Sequence, residues 1–130
     1  MKTTEQISIS KAEWAVMEIV WNSSKPLISE EIIAKLAETH FWSEGTIRSL
    51  LNRLLKKNAL ETEREGRRFF YRAAREKSEC LRQESFAFLD QYFGGKLTPM
   101  MACFLGDEKI GDDELDRLEE LIKQRREERK

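Results

Sequence analysis

Apolar residues recur along this chain at two periods, and the changes between them mark its organisation. Over residues 10–21 the spacing is helical, with Trp14, Met17, Val20 and Trp21 on one face. Ser10-Lys11-Ala12-Glu13 precedes that face as a capping box, Ser10 capping the first turn while Glu13 reaches back. Asn22-Ser23-Ser24, before Pro26, predicts the end of the helix. Ile28 suits a short extended piece. Ser29 is the expected cap of a second helix, with Glu30 and Glu31 in its electropositive first turn and Ile32, Ile33 and Leu36 as its stripe. After a connection over 39–42, Ser43 caps a third helix. Ile47, Leu50, Leu51, Leu54 and Leu55 make its apolar face, and Asn58 can end it in the left-handed conformation. Residues 1–9 read as polar and loose.

The period then changes. Leu60, Thr62 and Arg64 alternate with acids, Gly66 marks a turn, and Arg68-Phe69-Phe70-Tyr71-Arg72 is rich in β-formers, which predicts a β-hairpin over 59–73 with its tip at Glu65-Gly66-Arg67. Three helices followed by a hairpin make a winged helix-turn-helix, so residues 1–73 are read as one domain. Helical spacing returns over 74–93 and breaks at Gly94-Gly95. Thr98 as cap and Pro99 at the first helical position predict a short helix, ended by Gly106. A last helix opens with Asp112, Asp113 and Glu114 and closes with Arg125, Arg126 and Arg129, an order that suits the helix dipole. The fold class is therefore mainly α with a small β-hairpin. Residues 74–130 form a second, helical domain.

Charge sharpens this picture. The net charge of −1 hides an asymmetry: residues 42–72 hold eight Lys/Arg against four Asp/Glu, and residues 74–130 hold eleven against fourteen. Local basic charge is what a nucleic-acid face requires. On the third helix the side away from the leucines carries Arg48, Ser49, Asn52, Arg53 and Lys56. Phosphates favour Arg and Lys, and major-groove base edges favour bidentate Arg or Asn. The plain alternative is a solvated helix face, and a protein-interaction module that kept a winged helix without DNA specificity is the alternative function. With the hairpin following, DNA contact is favoured. Ser43 and Thr46 at the helix start suit phosphates or base edges, Arg48 and Asn52 base reading, and Arg53 and Lys56 phosphates. Arg53 could instead pair with a neighbouring acid. Arg67 and Arg68 at the wing tip suit the DNA backbone. Trp14, Trp21 and Trp42 read as packing residues.

Other chemistry is poorly supplied. Cys80 and Cys103 have neither disulfide nor zinc spacing, and a single histidine, His40, makes no metal cluster. There is no Gly-rich phosphate loop, and paired acids sit at helix starts where capping explains them, so neither an enzyme nor a cofactor is expected. No segment is long and apolar enough for membrane insertion and no signal-peptide pattern opens the chain, which reads as a soluble cytoplasmic protein. About 57 residues in three helices cannot easily bury so many apolar side chains alone. Leu81, Phe86, Leu89, Phe93, Met101, Phe104, Leu115, Leu118 and Ile122 are therefore candidate dimerisation residues. A twofold dimer sets two recognition helices on the half-sites of a palindrome.

Several blocks resemble the BlaI/MecI/CopY family of bacterial repressors. Ile9-Ser10-Lys11-Ala12-Glu13-Trp14 with Val16-Met17 and Val20-Trp21 is similar to that family's opening. Trp42-Ser43, Thr46-Ile47-Arg48, Leu51, Arg53-Leu54 and Lys56-Lys57 are similar to its recognition helix, and the strand from Arg68 to Tyr71 to its wing. The match is close over residues 8–72 and looser through Gly94-Gly95 to the last helix. It implies a homodimeric repressor on a palindromic double-stranded DNA operator. In β-lactam-responsive members it also implies release when a membrane-linked sensor protease cuts an Asn-Phe bond in the C-terminal domain. The aligned bond joins Cys103 to Phe104, keeping the Phe and replacing the Asn. The paired Cys-X-Cys tail of copper-responsive members has no counterpart in the ending Arg-Arg-Glu-Glu-Arg-Lys.

Overall fold

The computed structural model describes residues 7–129. The chain divides into two compact units, one ending at Ser85 and the other beginning at Phe86. The first unit contains α1 (Lys11–Trp21), β1 (Leu27–Ile28), α2 (Ser29–Ala37), α3 (Glu44–Lys56), β2 (Leu60–Glu65) and β3 (Arg68–Ala73). It also holds the first half of α4 (Lys77–Phe93), and so runs past residue 73. The strands form one antiparallel sheet in the order β1-β3-β2. Helices followed by a hairpin whose inner strand pairs with a short strand between α1 and α2 make a winged helix-turn-helix.

Each helix buries the stripe its spacing predicts. Val16, Met17 and Val20 of α1, Ile32 and Leu36 of α2, and Ile47, Leu50, Leu51 and Leu54 of α3 meet in one core with Leu60. Full burial of one such side chain is worth roughly 1.5–3 kcal/mol, so this stripe fixes which face of α3 is left for solvent. The capping box of α1 forms, with the Glu13 N–H donating to Ser10 Oγ at 3.1 Å and the Ser10 N–H to Glu13 Oε1 at 2.8 Å. Ser43 caps α3 by accepting from the Thr46 N–H at 3.1 Å.

Asn58 ends α3 at φ +62°. The Ala59 N–H donates to the Leu54 carbonyl at 2.9 Å and the Asn58 N–H to that of Leu55 at 3.1 Å, the two bonds of a Schellman stop. Ala59 and Leu54 are both buried across it. A β-carbon in this conformation costs roughly 1–2 kcal/mol, and a short amide side chain offsets part of that locally. Asn58→Ala is therefore expected to lose about 1 kcal/mol of unfolding free energy in urea while Asn58→Gly matches the parent. Equal midpoints for the two variants would argue against the strained stop.

Three expectations are corrected. Residues 7–9 are docked: Ile7 and Ile9 are buried, and their N–H groups donate to Gln83 Oε1 at 3.2 Å and Glu84 Oε1 at 3.1 Å on α4. Residues 1–6 of that stretch lie outside the described residues. Ser29 is the first helical residue of α2, not its cap; Ile28 takes the cap position, and Glu31 Oε1 accepts the Ile28 N–H at 3.0 Å. Ile28 is held extended because it also pairs with Phe70 of β3. In the second unit α5 (Leu97–Leu105) begins at Leu97 after Lys96, so Pro99 is its third residue and Thr98 its second. The ring is tolerated there because first-turn N–H groups have no intrahelical acceptor.

The second unit comprises the end of α4, α5 and α6 (Asp112–Glu128). Gly94 and Gly95, at φ +59° and +78°, separate α4 from α5. Among the described residues of this unit only Leu89 is buried, at 7% exposure, whereas Tyr92, Leu97, Leu121 and Ile122 are exposed. Of the candidate dimerisation residues here, Phe93, Met101, Leu115 and Leu118 are half-buried, and Phe86, Phe104 and Ile122 are exposed. Leu81 lies in the first unit, exposed beside Ile9 and Trp14. Among the described residues no helix is long and apolar enough to cross a membrane.

Candidate nucleic-acid interface

All nine residues singled out for DNA contact are exposed: Ser43, Thr46, Arg48, Ser49, Asn52, Arg53, Lys56, Arg67 and Arg68. On α3, Arg48, Asn52 and Lys56 succeed one another four residues apart, with Ser49 and Arg53 alongside, so they form one strip opposite the buried leucines. Arg67 stands in the two-residue turn of the wing and Arg68 opens β3, opposite Glu65. A cleft brings the two elements together. Arg48, Arg67 and Arg68 line it with Ser29 and Glu30 of α2 and with Phe69 and Tyr71 of β3.

Local bonds orient the cations. Arg48 Nη1 donates to Ser29 Oγ at 3.4 Å, so the first residue of α2 steadies a side chain of α3. Glu30 is held below its usual carboxylate range, first by its own backbone N–H and the Ser29 hydroxyl, then by the positive charge of Arg48 and Arg68. The acid thus stays ionised between two arginines and limits their mutual repulsion.

Arg53 is partly committed elsewhere. Its Nε lies 3.8 Å from Glu13 Oε2. Glu13 is 1% exposed and takes its main partner from Lys57, whose Nζ donates to Glu13 Oε1 at 2.6 Å and to the Ser8 carbonyl at 2.7 Å. Burial alone raises the pKa of this carboxyl. The Lys57 hydrogen bond, the Ser10 N–H, the Lys57 charge and the Ser10 hydroxyl together outweigh burial and hold it below its ordinary value. Of the adjacent lysines, Lys57 ties the end of α3 to α1, and Lys56 points to solvent. Glu13 is thus the neighbouring acid that the sequence left open for Arg53, whereas its burial and its contact with Lys57 have no local signal, because a capping-box glutamate is normally exposed.

Arg64 was not among the candidates either. It is exposed on β2, opposite Phe69, with its guanidinium 5.7 Å from that ring and its Nε donating to the Gly66 carbonyl at 3.0 Å. The two-residue turn at Gly66 sets this register, so the placement follows once the turn is assigned. Arg72 is used within the wing, donating to Glu61 at 2.7 Å and Glu63 at 3.5 Å. The tryptophans pack as expected: Trp14 meets Trp21 edge-on at 5.0 Å, and Trp42 stacks on His40 at 4.1 Å. Among the described residues no cluster of His, Cys, Asp and Glu could hold a metal ion.

Known proteins share this winged-helix fold. The solution structure of the Bacillus licheniformis BlaI monomer in complex with the blaP half-operator superposes with a TM-score of 0.50 at 40% identity, covering 61% of this chain and 93% of that one. The DNA-binding domain of the repressor BlaI gives 0.52 at 39%, with the same coverage. Over greater length, the penicillinase repressor of Bacillus licheniformis is 33% identical across 122 residues, 94% of each chain. The methicillin resistance regulatory protein MecI of Staphylococcus aureus is 30% identical across 114 residues, 88% of this chain and 92% of its own. The profile of the penicillinase repressors matches residues 9–124, from the α1 cap into α6. With the winged helix and nearly all of the second unit inside that match, the chain belongs to the penicillinase repressor family.

Proposed function

We propose that this DNA-binding transcriptional repressor acts in the cytoplasm as a homodimer on a palindromic operator, without catalytic activity of its own. The observation that carries the reading is the exposed strip of α3, cationic and amide along its length and backed by a buried leucine face. Arg48 and Asn52 read base edges in the major groove. Arg53 and Lys56 neutralise phosphates, Ser43, Thr46 and Ser49 hydrogen-bond at the groove edge, and Arg67 and Arg68 bring the wing onto the backbone. A protein-interaction role for this face is less economical, because protein interfaces deplete Ser and Lys, and Ser43, Ser49 and Lys56 all stand on this strip.

The dimer is supported by the second unit. A 45-residue helical segment with one buried side chain among its described residues leaves its apolar surface to a second copy. The DNA-binding domain then runs to Ser85, and residues 86–130 pair. The BlaI monomer holds one half-operator, and two paired chains would hold both halves. Release by a membrane-linked sensor protease belongs to the same proposal. The bond between Cys103 and Phe104 lies in the last turn of α5, just before the Gly106 cap, where helices fray most readily.

Selection from a random duplex pool tests this. The expected product is an inverted repeat whose half-site centres lie about one helical turn or a multiple of it apart. Enrichment of a single unrepeated site, or no enrichment, contradicts the dimeric reading.

A further inference from the structure

Phe41 is fully in water, at 108% relative exposure, whereas the next most exposed large apolar residue among those described is Tyr92 at 63%. It stands in the turn between α2 and α3, two residues before the Ser43 cap. His40 and Trp42 on either side are half-buried and stacked on each other, ring centroids 4.1 Å apart at 29°. His40 Nδ1 is also 2.8 Å from Thr39 Oγ1. The rings of His40 and Trp42 are taken up in contact with each other, and Phe41 between them is left in solvent.

We propose that Phe41 is a base-contacting residue that packs on the C5-methyl group of a thymine in the major groove. The proposal rests on the reading of α3 as the helix that enters that groove, since the N-terminal end of such a helix comes closest to base edges. Charge separates the roles along the element. Residues 41–47 include no Lys or Arg, and Glu44 is their only charged residue, whereas the cations begin at Arg48. An uncharged aromatic beside an acid does not suit phosphate. Thymine methyl is the apolar group that the major groove presents, and Phe is among the side chains that meet it. A single exposed apolar residue is ordinary on a protein surface. This one is distinguished by the stacked pair that flanks it and by its place at the reading end.

The test uses the full chain, Phe41→Ala and Phe41→Leu, titrated by fluorescence anisotropy against the duplex recovered by selection, with each thymine replaced in turn by uracil. For the parent, uracil at one thymine of each half-site is expected to weaken binding about fourfold per half-site, the worth of one buried methyl group. Phe41→Ala should bind thymine and uracil duplexes equally, Phe41→Leu should keep part of the preference, and all three should bind random duplex alike. A parent without a uracil-sensitive thymine overturns the proposal, as does undiminished sensitivity in Phe41→Ala, the result expected if Phe41 serves a protein partner. A loss by Phe41→Ala that is equal on random duplex also overturns it. In each of these cases the repressor reading stands. A parent that recovers no duplex removes that reading, and this proposal with it.

Discussion

Glu13→Ala is expected to lower the stability of the winged-helix unit by about 2–4 kcal/mol, although the residue is not itself among those proposed to contact DNA. Three interactions end at this one carboxylate. It closes the α1 capping box, it accepts the Lys57 ammonium at 2.6 Å, and it offers a second oxygen to Arg53 at 3.8 Å. Removing it leaves Lys57 with the Ser8 carbonyl, but that side chain is 34% exposed and can take up water, which keeps the loss near the lower end for a broken buried pair. Glu13→Gln retains the shape and a capping oxygen, and should cost about 1–2 kcal/mol. The pH dependence separates charge from packing. Since the carboxyl sits below its ordinary value of 4.5, its charge contributes fully above that value and the contribution is lost as pH falls through the folded-state value. The gap between the parent and Glu13→Gln, followed by urea denaturation, should be constant near neutrality and close below pH 4.5. A gap that persists unchanged into strong acid would assign Glu13 a packing role alone.

Arg48→Ala should weaken binding to the selected duplex about ten- to a hundredfold while leaving the fold intact, because the side chain is exposed and its bond to Ser29 is long. Base reading and phosphate contact predict different patterns. Loss of a base contact relaxes preference at one position of the half-site and leaves the salt slope nearly unchanged. Loss of a phosphate contact weakens all sequences alike and reduces the slope by about one. Lys56→Ala should show the second pattern and Arg48→Ala the first. If the two patterns are exchanged, the roles along α3 are exchanged with them.

The legible parts of this structure were those set by local chemistry. The leucine spacing of α3, the Ser10 and Ser43 caps, the stop at Asn58 and the turn at Gly66 each follow from residues within a turn or two of one another. What escaped depends on partners distant in sequence. Ile28 becomes a helix cap because β3, more than forty residues on, holds it extended. Ile7 and Ile9 dock through Gln83 and Glu84. Glu13 becomes a buried ion-pair centre because the end of α3 delivers Lys57 to it. Residues 39–42 read only as a connection, and the stacking of His40 on Trp42, with Phe41 left in solvent between them, is visible only in three dimensions. The exposed strip on α3 was legible, because a solvent-facing helix side is fixed once the buried side is known.

The central claim is that α3 and the wing bind duplex DNA with sequence preference. The most direct measurement is the affinity of the full chain for the selected duplex and for random duplex across a series of salt concentrations. Binding should fall linearly with salt on logarithmic axes, and the selected duplex should be held about a thousandfold more tightly or better at physiological salt. Equal affinity for the two duplexes, or affinity that does not respond to salt, would contradict it.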